Sequence, residues 1–252
     1  LVLSLVGERD PQSASLLFPV LALLLLEFQV SLSRASGIPV QAEGGVFWLE
    51  ARDPRCSGGI SGIPGRERLL LPLHWKQRFS SEWITEHLER RKFLVESGAR
   101  NSGLLLALLF QVLCLSPLLP YSQGNPVVLS ASFTLTSFLG LLLLPSLSRR
   151  GVLAADAFQA RRRGPVATSE WLTRLEALQE EDLARHPRVD LIFHPIPSLQ
   201  TRLRQLSSPC SPAPWNTARY ALLTSWLAGG LLSRAVHCNC GRPELWLWPP
   251  CD

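Results

Sequence analysis

The segment from Asn101 to Ser148 contains no Asp, Glu, Lys, Arg or His. Two apolar runs lie inside it, Gly103–Leu119 and Val127–Leu147, separated by the turn-forming Pro120–Pro126. A bilayer core of ~30 Å needs about 20 apolar residues at ~1.5 Å rise each. Both runs approach that length, and the segment predicts a transmembrane hairpin with a tight loop. The competing reading is a buried helical hairpin in a soluble core. Two runs apolar on every side, with an uncharged loop, leave such a hairpin no solvated face.

The rest of the composition agrees with a small, mainly α, polytopic membrane protein carrying polar segments. Charged residues make up 18% of the 252, and mean hydropathy is +0.15. The net charge of +5 raises the question of nucleic acid. The basic residues flank apolar runs and are not interleaved with aromatics, so the expected partners are the lipid bilayer and other membrane proteins, not nucleic acid. The expected location is integral to a membrane, of the bacterial inner (plasma) type. The chain opens on Leu1 and contains no Met, which fits a non-standard start codon or a missing N-terminus.

Taken in order, residues 1–32 form an N-terminal segment whose run Ser15–Leu32 is a candidate span. Glu8, Arg9 and Asp10 do not make the basic front of a signal peptide. Residues 33–100 are polar and expected to be cytoplasmic. Val46–Leu49 reads as a short strand, Leu69–Leu73 as an interfacial stretch, and Glu82–Glu96, capped by Ser80 or Ser81, as a helix. Residues 101–148 are the hairpin. Residues 149–215 are a second cytoplasmic segment with an amphipathic helix Glu170–Ala184, capped by Ser169, and a short helix Leu199–Leu206 begun by Ser198. Residues 216–236 hold a candidate fourth span, Tyr220–Val236. Basic residues stand at both feet of the hairpin: Arg90, Arg91, Lys92 and Arg100 before it, Arg149, Arg150 and Arg161–Arg163 after it. The positive-inside bias puts both feet in the cytoplasm and Pro120–Pro126 outside.

Residues 237–252 are a Cys-containing tail in which His237, Cys238, Cys240 and Cys251 offer four N/S donors. Their spacing fits no zinc finger. A disulfide from Cys251 to Cys238 or Cys240, thiols, and a metal site are the three readings, and the first applies if Tyr220–Val236 crosses and carries the tail outside.

Ser148–Arg149–Arg150 followed by Ala155–Asp156, and later His194–Pro195–Ile196–Pro197–Ser198 with Arg202, resemble the integral-membrane zinc metallopeptidases of the HtpX and CaaX prenyl protease type. That family runs in the order HExxH helix, membrane hairpin, SRxxExxAD helix, and an HPP-type segment with a downstream Arg. The same order covers about Glu82–Leu206 here. The resemblance implies a zinc held by two His of one helix and a Glu of another, with the motif Glu as general base. The chain has no HExxH. The corresponding helix reads Thr85–Glu86–His87–Leu88–Glu89, so Glu86 falls on the general base while Thr85 and Glu89 stand at the His ligands. Val152 stands at the ligand Glu, and Asp156 keeps the position of the supporting acid.

The expectation is therefore a catalytically degenerate homologue with a scaffold or partner-binding role, without zinc or another cofactor. Glu86 would be its one catalytic remnant, and His87, Glu89, Asp156, His194 and Arg202 would line a remnant cleft. An active zinc endopeptidase with unusual ligands and an unrelated small membrane protein are the alternatives. On residue chemistry alone, Glu86 and Glu89 are expected on an ion-paired helix face, Asp156 against Arg149 or Arg150, and His194 in a turn with a backbone partner.

Overall fold

The first long helix has apolar residues on two faces, and that sets the architecture. The computed structural model describes residues 11–123, 125–179, 185–207, 211–224 and 248. Helix α1 (Pro11–Ala35) buries Phe18, Ala22, Leu26 and Val30 at i, i+4 spacing, the stripe that a helix turns toward a core. The opposite stripe, Val20, Leu24, Phe28 and Leu32, is equally apolar and exposed.

A small mixed sheet follows. Strands β1 (Val40–Glu43) and β2 (Val46–Leu49) form an antiparallel hairpin across Gly44 and Gly45, both at positive φ, which a two-residue hairpin turn requires. Strands β3 (Gly59–Ser61) and β4 (Arg68–Pro72) complete the order β1-β2-β4-β3, with β2 and β4 parallel. The sheet edge rests on α1: the Ser61 hydroxyl donates to the Leu26 carbonyl at 3.0 Å, and Arg68 pairs with Glu27. Leu69–Leu73, expected at a membrane interface, is thus mostly strand β4, and Leu70 and Leu71 are fully buried.

After the single-turn helix α2 (Trp75–Arg78), α3 spans Ser81–Glu96. The Ser80 side chain caps it by accepting from the Trp83 amide at 3.2 Å. Gly98, left-handed, separates it from α4 (Ala99–Leu115), and the two axes are bent by 57°. The short α5 (Leu119–Ser122) leads to α6 (Pro126–Leu143), capped by Asn125, then to α7 (Pro145–Arg163) and, past Gly164, α8 (Pro165–Gln179). Helices α9 (Pro187–Phe193), α10 (Leu199–Arg204) and α11 (Thr217–Thr224) close the described chain.

The polytopic hairpin is corrected by this arrangement. The chain is mostly helical with a four-stranded mixed sheet. Among the described residues one helical stretch, Leu17–Ala35 of α1, is by itself long and apolar enough to cross a membrane. Signal sequences and core helices of soluble proteins share that length and composition. The first hairpin run falls short because α4 has 17 residues and a polar foot, Arg100–Asn101–Ser102. The second run is not one helix: it breaks at Leu144 before Pro145, and its end becomes the first turn of α7. Ser169, expected as a cap, lies inside α8, which starts four residues earlier at Pro165. For Tyr220–Val236, only the part to Thr224 lies within the described residues, and His237, Cys238, Cys240 and Cys251 lie outside them.

The main core joins α1, α4, α7 and α11 through Phe18, Leu26, Leu104, Leu108, Val152 and Ala221, with Trp215 packed among them. The segment 211–215 passes between α4 and α7, where only glycine leaves room. A Cβ on Gly103 would collide with the Trp215 carbonyl, and one on Gly151 would meet the Pro214 carbonyl at 2.6 Å. Trp215 donates to the Ala99 carbonyl at 3.0 Å, and the Ala218 amide donates to the Ser148 hydroxyl at 2.9 Å. A second core packs Trp75, Trp83, Trp171, Leu172 and Leu175, and a third gathers Val30, Val40, Leu49 and Leu70 around Trp248. The Trp248 indole donates to the Ser33 hydroxyl at 2.8 Å. This tail residue therefore packs against α1 and the sheet.

Candidate functional site

Helices α3, α7, α8 and α10 converge on a buried cluster of charges. On α3 the residues at one face are Trp83, His87, Arg90 and Leu94, spaced by four, three and four. This is a core-facing stripe, and it carries Arg90 inward with its side chain fully buried. There Arg90 donates to Asp156 of α7 at 3.0 Å and to the Val152 carbonyl at 3.5 Å. Arg202 of α10 grips the same carboxylate with two bonds, 2.8 and 3.0 Å, and reaches Glu176 of α8 at 3.0 Å. Two carboxylates and two guanidiniums share one buried pocket, and charge is balanced within it. Buried ion pairs persist only when geometry and hydrogen bonding are this complete.

A second lock lies two turns earlier on α7. Arg149 pairs with Asp190 of α9 at 2.7 Å and donates to the His194 carbonyl at 3.4 Å. Asp190 in turn accepts from the Ser198 amide at 3.0 Å. The two segments quoted for the resemblance, Ser148–Asp156 and His194–Arg202, are thereby bonded to each other at both ends.

Burial alone would push the Asp156 carboxyl up; Arg202 and Arg90 outweigh it and hold it below the ordinary aspartate value of 3.8. Asp190 is held down in the same way, burial being outweighed by Arg149, by the Ser198 amide and by Arg185. For Arg202, burial would loosen its proton, and Asp156 followed by Glu176 binds it more firmly. A carboxyl whose pKa is lowered by folding contributes stability that is present above its unfolded pKa and is lost as pH falls through the folded one. The protein is therefore expected to keep its unfolding temperature from neutral pH down to about pH 5 with respect to these groups, and to lose it progressively below about pH 4. Thermal unfolding followed across that range checks the prediction; a midpoint that rises on acidification contradicts it.

The residues expected to line one cleft do not come together in one. Asp156 and Arg202 belong to the buried cluster, where Asp156 pairs with Arg90 and Arg202 rather than with Arg149 or Arg150. His87 is fully buried in an aromatic box, edge-on to Trp75 at 4.8 Å and stacked with Trp171 at 5.4 Å and Trp83 at 5.7 Å. Glu86 and Glu89 face the other way, into a cavity of about 370 Å³ between α3 and α7 that is also lined by Glu82, Gln159, Arg162 and Arg163. Glu86 and Glu82 pair with Arg163, and Glu89 accepts from Lys92 and from Arg162, each at 2.9 Å. Lys92 and then Arg162 hold the Glu89 carboxyl below its ordinary range. His194 contributes its backbone carbonyl to the Arg149 lock.

The sequence places Arg90 among the basic residues at the hairpin's foot and Glu176 on the wet face of its helix, and it does not single out Asp190; the structure buries all three. The first two had a signal. Arg90 continues the stripe of Trp83 and His87, and Glu176 stands four residues after Leu172 on the apolar stripe of α8. A charged residue in register with a buried stripe is a candidate for an internal pair. Asp190, on a two-turn helix, had none.

Comparison of the chain with protein families, with curated proteins and with solved structures finds no match. No relative is matched. The site is therefore read from its own chemistry.

The positions that the resemblance assigns to zinc ligands do not suit the ion. The Thr85 hydroxyl is turned back on its own helix, donating to the Ser81 carbonyl at 2.8 Å. Glu89 is neutralised by two cations. Val152 is buried and brings no donor side chain. Among the described residues no three His, Cys, Asp or Glu side chains are grouped so as to hold a metal ion. What meets the Asp156 carboxylate is a pair of guanidiniums.

Proposed function

We propose that the protein is a catalytically silent, membrane-associated relative of the integral-membrane zinc metallopeptidases, and that it works as a binding scaffold. The observation that carries this reading is the pair of locks between α7 and the 190–202 region. Arg149–Asp190 and Asp156–Arg202 join the two segments on which the resemblance rests, while the three ligand positions hold a hydroxyl, an ion-paired carboxylate and a valine. Such a site keeps its internal props and lacks the means to bind a metal-activated water. The groove between α3 and α7 then presents surface rather than chemistry.

Its membrane association is supported by the outward stripes. Alongside that of α1, Leu105, Leu109 and Leu113 of α4 project outward at i, i+4 spacing, with Leu105 66% exposed. On α6, Leu135, Phe138, Leu139, Leu142 and Leu143 do the same. Three neighbouring apolar stripes form an exposed patch of the kind that marks a membrane or partner surface. Lipid tails are the partner this surface suits, with α1 as the anchor in an inner (plasma) type membrane. Casein incubated with the detergent-solubilised protein and added Zn²⁺ tests the catalytic half of the reading. The expected result is no cleavage by the natural protein or by Glu86→Gln. Cleavage that disappears in Glu86→Gln would overturn it.

A further inference from the structure

The cavity between α3 and α7 carries more information than its shape. One wall is a ladder of three carboxylates, Glu82, Glu86 and Glu89, at positions i, i+4 and i+7 of α3. At 1.5 Å per residue, successive rungs stand ~6 and ~4.5 Å apart along the helix. They are not grouped so as to hold a metal ion. The facing wall is α7, with Phe158, Gln159, Arg162 and Arg163.

Gln159 is a second and independent feature. It is 4% exposed, it lines the cavity, and its Oε1 is buried with no hydrogen-bond partner among the described residues. A buried acceptor left without a donor is costly, and such groups are commonly satisfied by a ligand or a water. The complement of this acceptor is an N–H group. Arg162 and Arg163 now balance the ladder, but their side chains are 52% and 35% exposed. The pairs on Glu82 and Glu89 are open enough to be weak and to exchange for another cation, while Glu86, 11% exposed, holds Arg163 from a more buried position. A smaller cavity of about 190 Å³ shares Glu82, Glu86 and Arg163 with the first as lining.

The geometry points to a binding site for a linear polyamine, its ammonium groups on the carboxylate ladder and one of them donating to Gln159 Oε1. In an extended chain of ~1.5 Å bonds, three- and four-carbon spacers hold nitrogens about 5 and 6 Å apart. These spacings match the rungs. Each ammonium carries two or three N–H donors and no acceptor, as a wall of carboxylates and one amide oxygen requires. The methylenes lie against Phe158, and the displaced guanidiniums turn to water. The inference rests on reading this groove as a binding site instead of a hydrolytic one.

Titration of spermidine into the full chain in detergent, at fixed ionic strength, is the test. One equivalent binds, and Glu86→Gln or Gln159→Leu weakens it by about tenfold, the loss of one charge-assisted hydrogen bond. Unchanged unfolding midpoints of the unliganded variants show that the fold is kept. Arg163→Gln removes a competitor of the ligand, tightens binding, and serves if either of the other variants fails to fold. A heat no larger than that of sodium chloride at equal ionic strength overturns the proposal, as does an affinity the same in all variants. Zinc-free, inactive protein that ignores spermidine refutes the polyamine alone; protein that holds zinc and cleaves casein refutes the binding-site reading beneath it.

Discussion

Asp156→Asn is expected to cost about 3–5 kcal/mol of folding stability, the usual result of removing one partner from a buried ion pair. Asparagine fills the same space, so no cavity forms. It leaves Arg90 and Arg202 facing each other across a neutral amide, with Glu176 the one remaining carboxylate of the cluster. A domain has a total of about 5–15 kcal/mol to lose, and the variant would be marginal at physiological temperature. Glu89→Gln is the contrast. Its partners are exposed, and the change is expected to stay within about 1 kcal/mol. Chemical denaturation of both variants checks the pair of predictions. An Asp156→Asn cost no greater than that of Glu89→Gln would mean that the cluster does not hold α3, α7 and α10 together.

Trp248→Ala is the second large loss, about 3–5 kcal/mol for removing a buried indole. Trp248 is 2% exposed, packs over Gly59, and closes the core beneath the sheet formed by Val30, Val40, Leu49 and Leu70. Its removal also takes the indole donor from the Ser33 hydroxyl. Trp248→Phe keeps most of the ring and is expected to recover the larger part of the loss. Denaturation midpoints decide this, and an unchanged midpoint in Trp248→Ala would show that the residue does not close that core.

Local signals in the sequence were faithful where one residue type and one spacing sufficed. The cap of α3 at Ser80 or Ser81, the apolar, aromatic strand at Val46–Leu49 and the start of α10 after Ser198 were legible because capping and strand propensity are short-range. The sheet was legible only in that one strand. Gly59–Ser61 has three residues and no alternation, and Leu69–Leu71 is apolar because β4 is buried between β2 and β3, a pattern that looks the same as a membrane-seeking run. The hairpin reading failed on the same ambiguity. A long uncharged stretch reports burial or lipid without telling them apart, and the break at Leu144–Pro145 that turns Ser148 and Arg149 into the interior of the protein was available only as a proline. At the site, the order of the resemblance motifs singled out Asp156 and Arg202 but not their bond to each other. That pairing depends on where α10 returns against α7, which no local spacing encodes.

The central claim is that arginines, not a metal, complete the centre formed by α3, α7 and α10. Metal analysis of detergent-purified protein, prepared without chelators and dialysed against zinc-containing and then zinc-free buffer, tests it most directly. The predicted result is no stoichiometric zinc in the natural protein and none gained or lost in Glu86→Gln. One zinc per chain, lost in Glu86→Gln, would contradict it.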